Sequence, residues 1–201
     1  MKDLPTKKPE NQIINVQPGK LAVSSDSVTV WLTYSFAPEW YQDAINEAKT
    51  GKDHNARRRE IVFAVNFAES YIVEWVRDDV LHRDFQRFRT CFPANVKYSA
   101  YNKWKEIPKL LRDNGLIPRV PDLNQSYREE FRKLVDYRDG LVHAAASRPE
   151  TSSLPVTEKP VPPKSLLDQL EPGWAVKVVL ELARQLHKAV GTTPPPWLID
   201  P

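Results

Sequence analysis

The sequence predicts a mostly α-helical bundle with a small N-terminal β hairpin or meander and a proline-rich C-terminal tail. Residues 55–81 and 124–148 repeat apolar residues at spacings of three and four, which is the period of a buried helix face. Residues 13–36 instead concentrate β-branched and aromatic side chains between turn signals, as strands do. The 18 prolines cluster in the tails and linkers, where they interrupt regular structure.

These elements indicate one domain with additions at both ends. Residues 1–12 are charged and contain proline, which predicts a flexible N-terminus, and residues 13–37 are predicted to form a β extension packed on the body. A helical domain is expected over residues 38–190, with a flexible linker at 149–164 that is rich in Pro, Ser and Thr. Residues 191–201 are predicted to form an extended tail.

Capping and breaking residues mark the bounds of the helices. Pro38 suits the first turn of a helix, and Asn114-Gly115 is typical of a helix end. Pro108 predicts a start or a kink within the third helix. In the tail, Trp197 is expected to dock on the body of the protein. The helices predicted in this way cover residues 39–49, 55–81, 101–112, 124–148 and 174–190.

Composition and motifs exclude several classes of function. The net charge of +3 gives no general polyelectrolyte signature, and the chain has no window of roughly 18 apolar residues that would predict a membrane span. The lone Cys91 and the absence of a signal-peptide pattern predict a cytoplasmic protein. The chain also lacks a Gly-rich phosphate loop, a nucleophile elbow and paired cysteines, and neither His82 nor His187 has companions at metal spacing. No metal or cofactor is expected.

Two charged residues fall inside apolar helix faces. At about 100° per residue, Arg138 lies near the middle of the apolar stripe of its helix, and Glu69 lies inside the stripe of the earlier one. An unpaired buried charge is costly, so we expect Glu69 and Arg138 to meet, directly or through water. The stripe around Arg138 consists of Tyr127, Phe131, Leu134, Val135, Leu141, Val142 and Ala145.

His143 borders the same stripe. Asp139 precedes it by four residues, so the carboxylate can orient the imidazole on one face of the helix. Arg138 and His143 are five residues apart, about 140° around the helix, which allows them to flank a groove.

The segment Arg138-Asp139-Gly140-Leu141-Val142-His143 resembles the motif of the HEPN superfamily, the higher-eukaryote and prokaryote nucleotide-binding helical domains. That motif is an Arg, a polar residue, three further residues and a His. Glu69 within Ala-Glu-Ser on an earlier helix and the segment Lys103–Pro108 also resemble features of this family. The resemblance covers residues 39–190 and implies a HEPN-like helical bundle.

The resemblance implies a metal-independent endoribonuclease, of the kind that acts as a toxin or defence effector with an antitoxin or operon partner. His143 would take the 2′-hydroxyl proton or protonate the leaving 5′-oxygen, Arg138 would stabilise the phosphorane, and Asp139 would hold the imidazole. A homodimer would supply a second histidine to the cleft. Glu69 joins this candidate catalytic set, although a structural role as the partner of Arg138 is the favoured interpretation. The alternative is a non-catalytic HEPN module that binds a nucleotide, RNA or protein partner.

Two simpler interpretations stay open. Without the resemblance, Arg138 is a core arginine satisfied by Glu69 and His143 is a surface histidine. Arg57, Arg58 and Arg59 are candidate RNA-binding residues, yet a charged run at a helix start is more often a solvated face.

Overall fold

The computed structural model describes residues 22–23, 30–31, 35–51, 53–82, 84, 87–88, 98–121, 125–143, 164–198 and 200. The chain divides into two units, Met1–Ser35 and Phe36–Pro201. The predicted flexible N-terminus and linker residues 149–163 lie outside the described residues.

Two short strands are described in the first unit. Strand β1 (Ala22–Val23) pairs antiparallel with β2 (Val30–Trp31), and Ala22 stands opposite Trp31. The rest of the predicted hairpin or meander lies outside the described residues.

Within the described part of the second unit the structure is helical, and the prediction of a mostly helical bundle is confirmed. The helix α2 continues through a π-helical turn, Val76–Val80. Among the described residues, no helix combines the length and apolar character needed to cross a lipid bilayer. The helices are α1 (Ala37–Thr50), α2 (His54–Trp75), α3 (Ala100–Asp113), α4 (Gln125–His143), α5 (Lys164–Asp168) and α6 (Trp174–Val190).

The helix bounds agree with the predictions for α1, α2 and α6 and differ at two places. Helix α3 begins at Ala100 and contains Pro108, so a helix start at Pro108 is wrong. Pro108 is buried, as are Ile107 and Leu111, and packing there outweighs the lost backbone hydrogen bond. Helix α5 begins at Lys164, the last residue of the predicted linker, and was not predicted.

Helix α2 is the central element, because α1, α3, α4, α5 and α6 all pack against it. The apolar positions that repeat at spacings of three and four along α2 and into its π-helical turn are buried, which confirms the periodic pattern. Each Ile or Val among them contributes about 1.5–3 kcal/mol when removed from water. These positions are Ile61, Val65, Ala68, Ile72 and Val76.

The predicted α4 stripe is buried in part. Phe131, Leu134 and Val135 are buried, whereas Tyr127 and Val142 are 36% and 44% exposed. Leu141 is partly buried against the core, and Ala145 lies outside the described residues. The predicted stripe is therefore buried at some of its positions and partly exposed at others.

A buried ion pair that the sequence analysis missed connects the start of α2 to the start of α6. Glu60 pairs with Arg57 and accepts hydrogen bonds from the backbone nitrogens of Gly173 and Ala175 at 3.2 and 3.0 Å. Gly173 offers no side chain to cap α6, so the Glu60 carboxylate satisfies these otherwise unpaired donors. Burial raises the pKa of Glu60, while the hydrogen bonds and the Arg57 charge oppose that shift.

Gly51 follows the last residue of α1 and lies against the first turn of α2. A Cβ atom at Gly51 would lie 2.0 Å from the Cβ of Ala56 and 2.7 Å from the carbonyl oxygen of Glu47. Its φ is −81°, which any residue adopts, so the glycine is required for space.

We expect Gly51→Ala to lower the free energy of unfolding by about 1–3 kcal/mol, the usual cost of overpacking. Chemical denaturation measures this change. In the double variant with Ala56→Gly the two costs should be less than additive, because the second substitution removes the nearest clashing atom. Additive costs would contradict the steric explanation.

The segment after α6 returns to the body of the second unit. The Trp197 ring packs edge-on against the rings of Tyr41, Phe67 and Tyr71, at centroid distances of 6.1, 6.3 and 5.9 Å. Leu198 is buried beside it. The predicted docking of Trp197 is confirmed.

His187 lies under this segment, in the last turn of α6. Its Nε2 lies 2.6 Å from the Tyr71 hydroxyl oxygen, and its Nδ1 lies 2.7 Å from Thr192 Oγ1. Burial lowers the pKa of His187 below its ordinary value of 6.5. The neutral imidazole is therefore the form that the folded protein favours.

A lowered pKa in the folded state means that the stability contributed by His187 is present above pH 6.5 and is lost as the pH falls towards the folded value. We expect the difference in melting temperature between the wild type and His187→Gln to be smaller at about pH 5.5 than at about pH 8. The difference between wild type and variant removes the contributions of Glu60 and Asp79, which are present in both proteins. Their pKa values are raised, so the stability that they contribute falls as the pH rises, opposite to the effect of His187. A difference that does not change with pH would contradict the assignment.

Candidate functional site

A buried hydrogen bond fixes α3 against α2 beside the candidate site. The indole Nε1 of Trp104 donates to the carbonyl oxygen of Ala68 at 2.9 Å. Phe131 of α4 then packs against Tyr101 and Trp104, each at a ring centroid distance of 6.2 Å. These contacts place Lys103, the neighbour of Trp104, and one face of α4 beside Glu69 on α2.

Four charged side chains from three helices meet at this level. Arg138 Nη2 lies 3.2 Å from Glu69 Oε1, and Lys103 Nζ lies 3.8 Å from the same oxygen. Arg138 Nη1 lies 3.3 Å from Asp139 Oδ1. The prediction that Glu69 and Arg138 meet is confirmed, and the contact is direct. We call Glu69, Lys103, Arg138 and Asp139 the charge cluster.

The charge cluster is partly open to solvent. The Arg138 and Asp139 side chains are 18% and 16% exposed, and those of Glu69 and Lys103 are 27% and 25% exposed. The Arg138 Nε atom, by contrast, is buried and has no hydrogen-bond partner among the described residues. The carboxylates around Arg138 therefore leave one donor of its guanidinium unused.

His143 is the last residue of α4, and its side chain lies outside what the structure describes. Its place in the helix is five residues beyond Arg138, about 7.5 Å along the axis. The predicted orientation of the imidazole by Asp139 stays a prediction.

The three neighbouring arginines at the start of α2 occupy different environments. Arg57 is buried and contacts Glu60 and the carbonyl oxygen of Gly51. Arg58 is partly buried, and its Nε lacks a hydrogen-bond partner among the described residues. Arg59 has a side chain that is 53% exposed and pairs with Glu47 at 2.8 Å. The burial of Arg57 could have been found from its spacing of four residues to the buried Ile61.

A cleft between α4 and α6 was not predicted from the sequence. Its volume is about 440 Å³. At its edge, Trp174 Nε1 donates to Glu130 Oε2 at 2.7 Å, and Lys133 Nζ lies 5.3 Å from the centre of the Trp174 ring. The cleft is lined by Ser126, Tyr127, Glu130, Trp174, Lys177, Val178, Leu180, Glu181, Arg184 and Asp200.

No family model, curated protein or solved structure matches the chain. The likeness to HEPN domains therefore rests on the motif at residues 138–143 and on its setting in the sequence. Among the described residues, no group of three or more His, Cys, Asp and Glu side chains is arranged to hold a metal ion.

Loss of the glutamate should have a different cost in the two ion pairs of α2, because the pairs differ in burial. Glu69→Gln should cost at most about 1 kcal/mol, since Glu69 and Arg138 both contact solvent. Glu60→Gln should cost about 3–5 kcal/mol, since it leaves Arg57 buried without a counter-charge. Denaturant unfolding measures both, and a reversed order would contradict this assignment.

Proposed function

We propose that this protein is a metal-independent endoribonuclease of the HEPN type, working as a homodimer in the cytoplasm. The observation that carries the proposal is the convergence of Glu69, Lys103 and Arg138 from three helices beside the Arg-polar-x3-His motif. The motif alone is short, but here its arginine lies at a charged, partly open position on an otherwise apolar helix face.

In the proposed reaction, the 2′-hydroxyl of the RNA attacks the adjacent phosphorus. His143 accepts the hydroxyl proton, and His143 of the second subunit protonates the leaving 5′-oxygen. The products are a 2′,3′-cyclic phosphate and a 5′-hydroxyl end. Arg138 stabilises the negative charge on the phosphorane, Asp139 orients the imidazole, and Glu69 holds Arg138 in place before the RNA binds. The reaction requires no cofactor, and only RNA supplies the internal nucleophile.

Cleavage of cellular RNA would make the protein a toxin or a defence effector. A protein with this activity must be inhibited in the cell that makes it, and an antitoxin or operon partner protein is the proposed inhibitor. Arg58 and Arg59 are proposed as additional phosphate contacts. The Arg57 guanidinium is buried in its ion pair with Glu60 and is not part of this surface.

A second candidate is a non-catalytic HEPN module that binds a nucleotide, RNA or protein partner. One observation favours it: Arg138 lies between two carboxylates, Glu69 and Asp139, so that its charge is balanced within the protein. In that case the charge cluster would serve stability.

We expect His143→Ala and Arg138→Ala each to reduce cleavage of a single-stranded RNA at least about 100-fold, because each removes a group that acts in the transition state. Gel analysis of the products, with identification of cyclic phosphate ends, measures the effect. Expression of the wild type, but of neither variant, should slow growth.

Arg132→Ala is the matched control, since Arg132 is exposed on the same helix. It should retain full activity. Melting temperatures show whether each variant is folded. If folded His143→Ala and Arg138→Ala proteins both cleave RNA as the wild type does, the proposal of an enzyme is contradicted and the non-catalytic binding module is favoured.

A further inference from the structure

One oxygen atom, Glu69 Oε1, contacts two cations that come from different helices, Arg138 and Lys103. A phosphate oxygen has the same charge and accepts hydrogen bonds from the same donors. We propose that Lys103 and Arg138 form a binding site for an RNA phosphate, and that the Glu69 carboxylate occupies this site until the phosphate displaces it. The inference rests on the proposed function, because it concerns the substrate of the same site.

Lys103 is held at this site by the packing of α3. The neighbouring Trp104 is fixed to Ala68, the residue before Glu69, by the buried indole hydrogen bond. The backbone of Lys103 therefore has a defined place beside α2. Its ammonium group is carried on a flexible stem, and the side chain is 25% exposed, so the ammonium group can follow a ligand that moves into the position of the carboxylate.

The charges of the cluster balance while Glu69 is in place. Glu69 and Asp139 carry two negative charges, and Lys103 and Arg138 carry two positive charges. Once Glu69 moves away or loses its charge, the remaining three residues carry one net positive charge. The carboxylate thus competes with any anion that approaches the two cations.

Two features make displacement of Glu69 feasible. Ion pairs that contact solvent are weak, and the pair between Glu69 and Arg138 is of this kind. The buried Nε of Arg138 also lacks a hydrogen-bond partner among the described residues. A phosphodiester offers two non-bridging oxygens, so a reoriented Arg138 can use donors that the present arrangement leaves unsatisfied.

The test measures binding to the full chain of a short single-stranded RNA with 2′-O-methyl riboses, which lacks the nucleophile and is not cleaved. Glu69→Gln should tighten binding about three- to fivefold in fluorescence anisotropy, because it removes a competitor held by a weak ion pair. Glu106→Gln is the matched control. It removes the same charge from α3, where Glu106 pairs with Lys105 at 3.3 Å and Lys109 at 3.5 Å.

The control variant should tighten binding by less than about twofold, since it changes only the long-range electrostatic potential around the protein. The gain from Glu69→Gln should become smaller when Lys103→Gln is added, because only Arg138 then remains for the phosphate. Equal effects of Glu69→Gln and Glu106→Gln, or a gain that is unchanged without Lys103, would overturn the proposal. If Glu69→Gln does not fold, Lys103→Gln in the wild-type background decides: it should weaken RNA binding at least threefold, and unchanged binding would overturn the proposal.

Two further measurements separate this inference from the proposed reaction. If the wild type cleaves unmodified RNA but the Glu69 and Lys103 variants bind RNA as the wild type does, the displacement of Glu69 is overturned and the proposed nuclease activity is still supported. If the wild type does not cleave RNA but the binding effects occur, the phosphate site is supported and the proposed nuclease activity is overturned. Inorganic phosphate serves as a second probe: a Glu69- and Lys103-dependent thermal shift with phosphate, without any such effect on RNA, would overturn the assignment to RNA.

Discussion

The hydrogen bond from the Trp104 indole to the Ala68 carbonyl sets the geometry on which the candidate site depends. A buried indole N–H usually has an acceptor, and that of Trp104 donates to a backbone oxygen in the middle of α2. This bond fixes the position of α3 along α2. Lys103 and Glu69 are the immediate sequence neighbours of the two bonded residues, so their approach follows from it. Phe131 packs on Trp104 and carries α4, with Arg138, to the same level.

Helix α2 holds two glutamates with different environments. Glu60 and Glu69 are nine residues apart, which places them about 180° apart around the helix. Glu60 is 1% exposed and accepts hydrogen bonds from backbone nitrogens that cannot move without unwinding the start of α6. Glu69 instead contacts the ends of two long side chains and water. The first carboxylate is thus part of the architecture, whereas the second can exchange partners without disturbing it.

The parts of the structure that could be predicted are those with a local signal. Apolar periodicity located α2 and α4, and the two charges that interrupt these faces, Glu69 and Arg138, could be paired because each needed a partner. Arg57 was missed since a run of three arginines resembles a solvated helix start. Helix α5 depends on the burial of Leu167 against the rest of the bundle, and the contact of Lys103 depends on how α3 lies on α2. Neither has a local signature.

The return of Trp197 to the aromatic rings of Tyr41, Phe67 and Tyr71 has a consequence for how the chain is made. Tyr41 lies near the beginning of the helical unit, and its contact with Trp197 spans a sequence separation of 156 residues. Contacts this distant form late, because the loop that they close is long. During synthesis, α1 and α2 emerge early with an incomplete aromatic cluster. Their exposed rings stay uncovered until residue 197 has left the ribosome, and chaperones have that interval in which to bind the nascent chain.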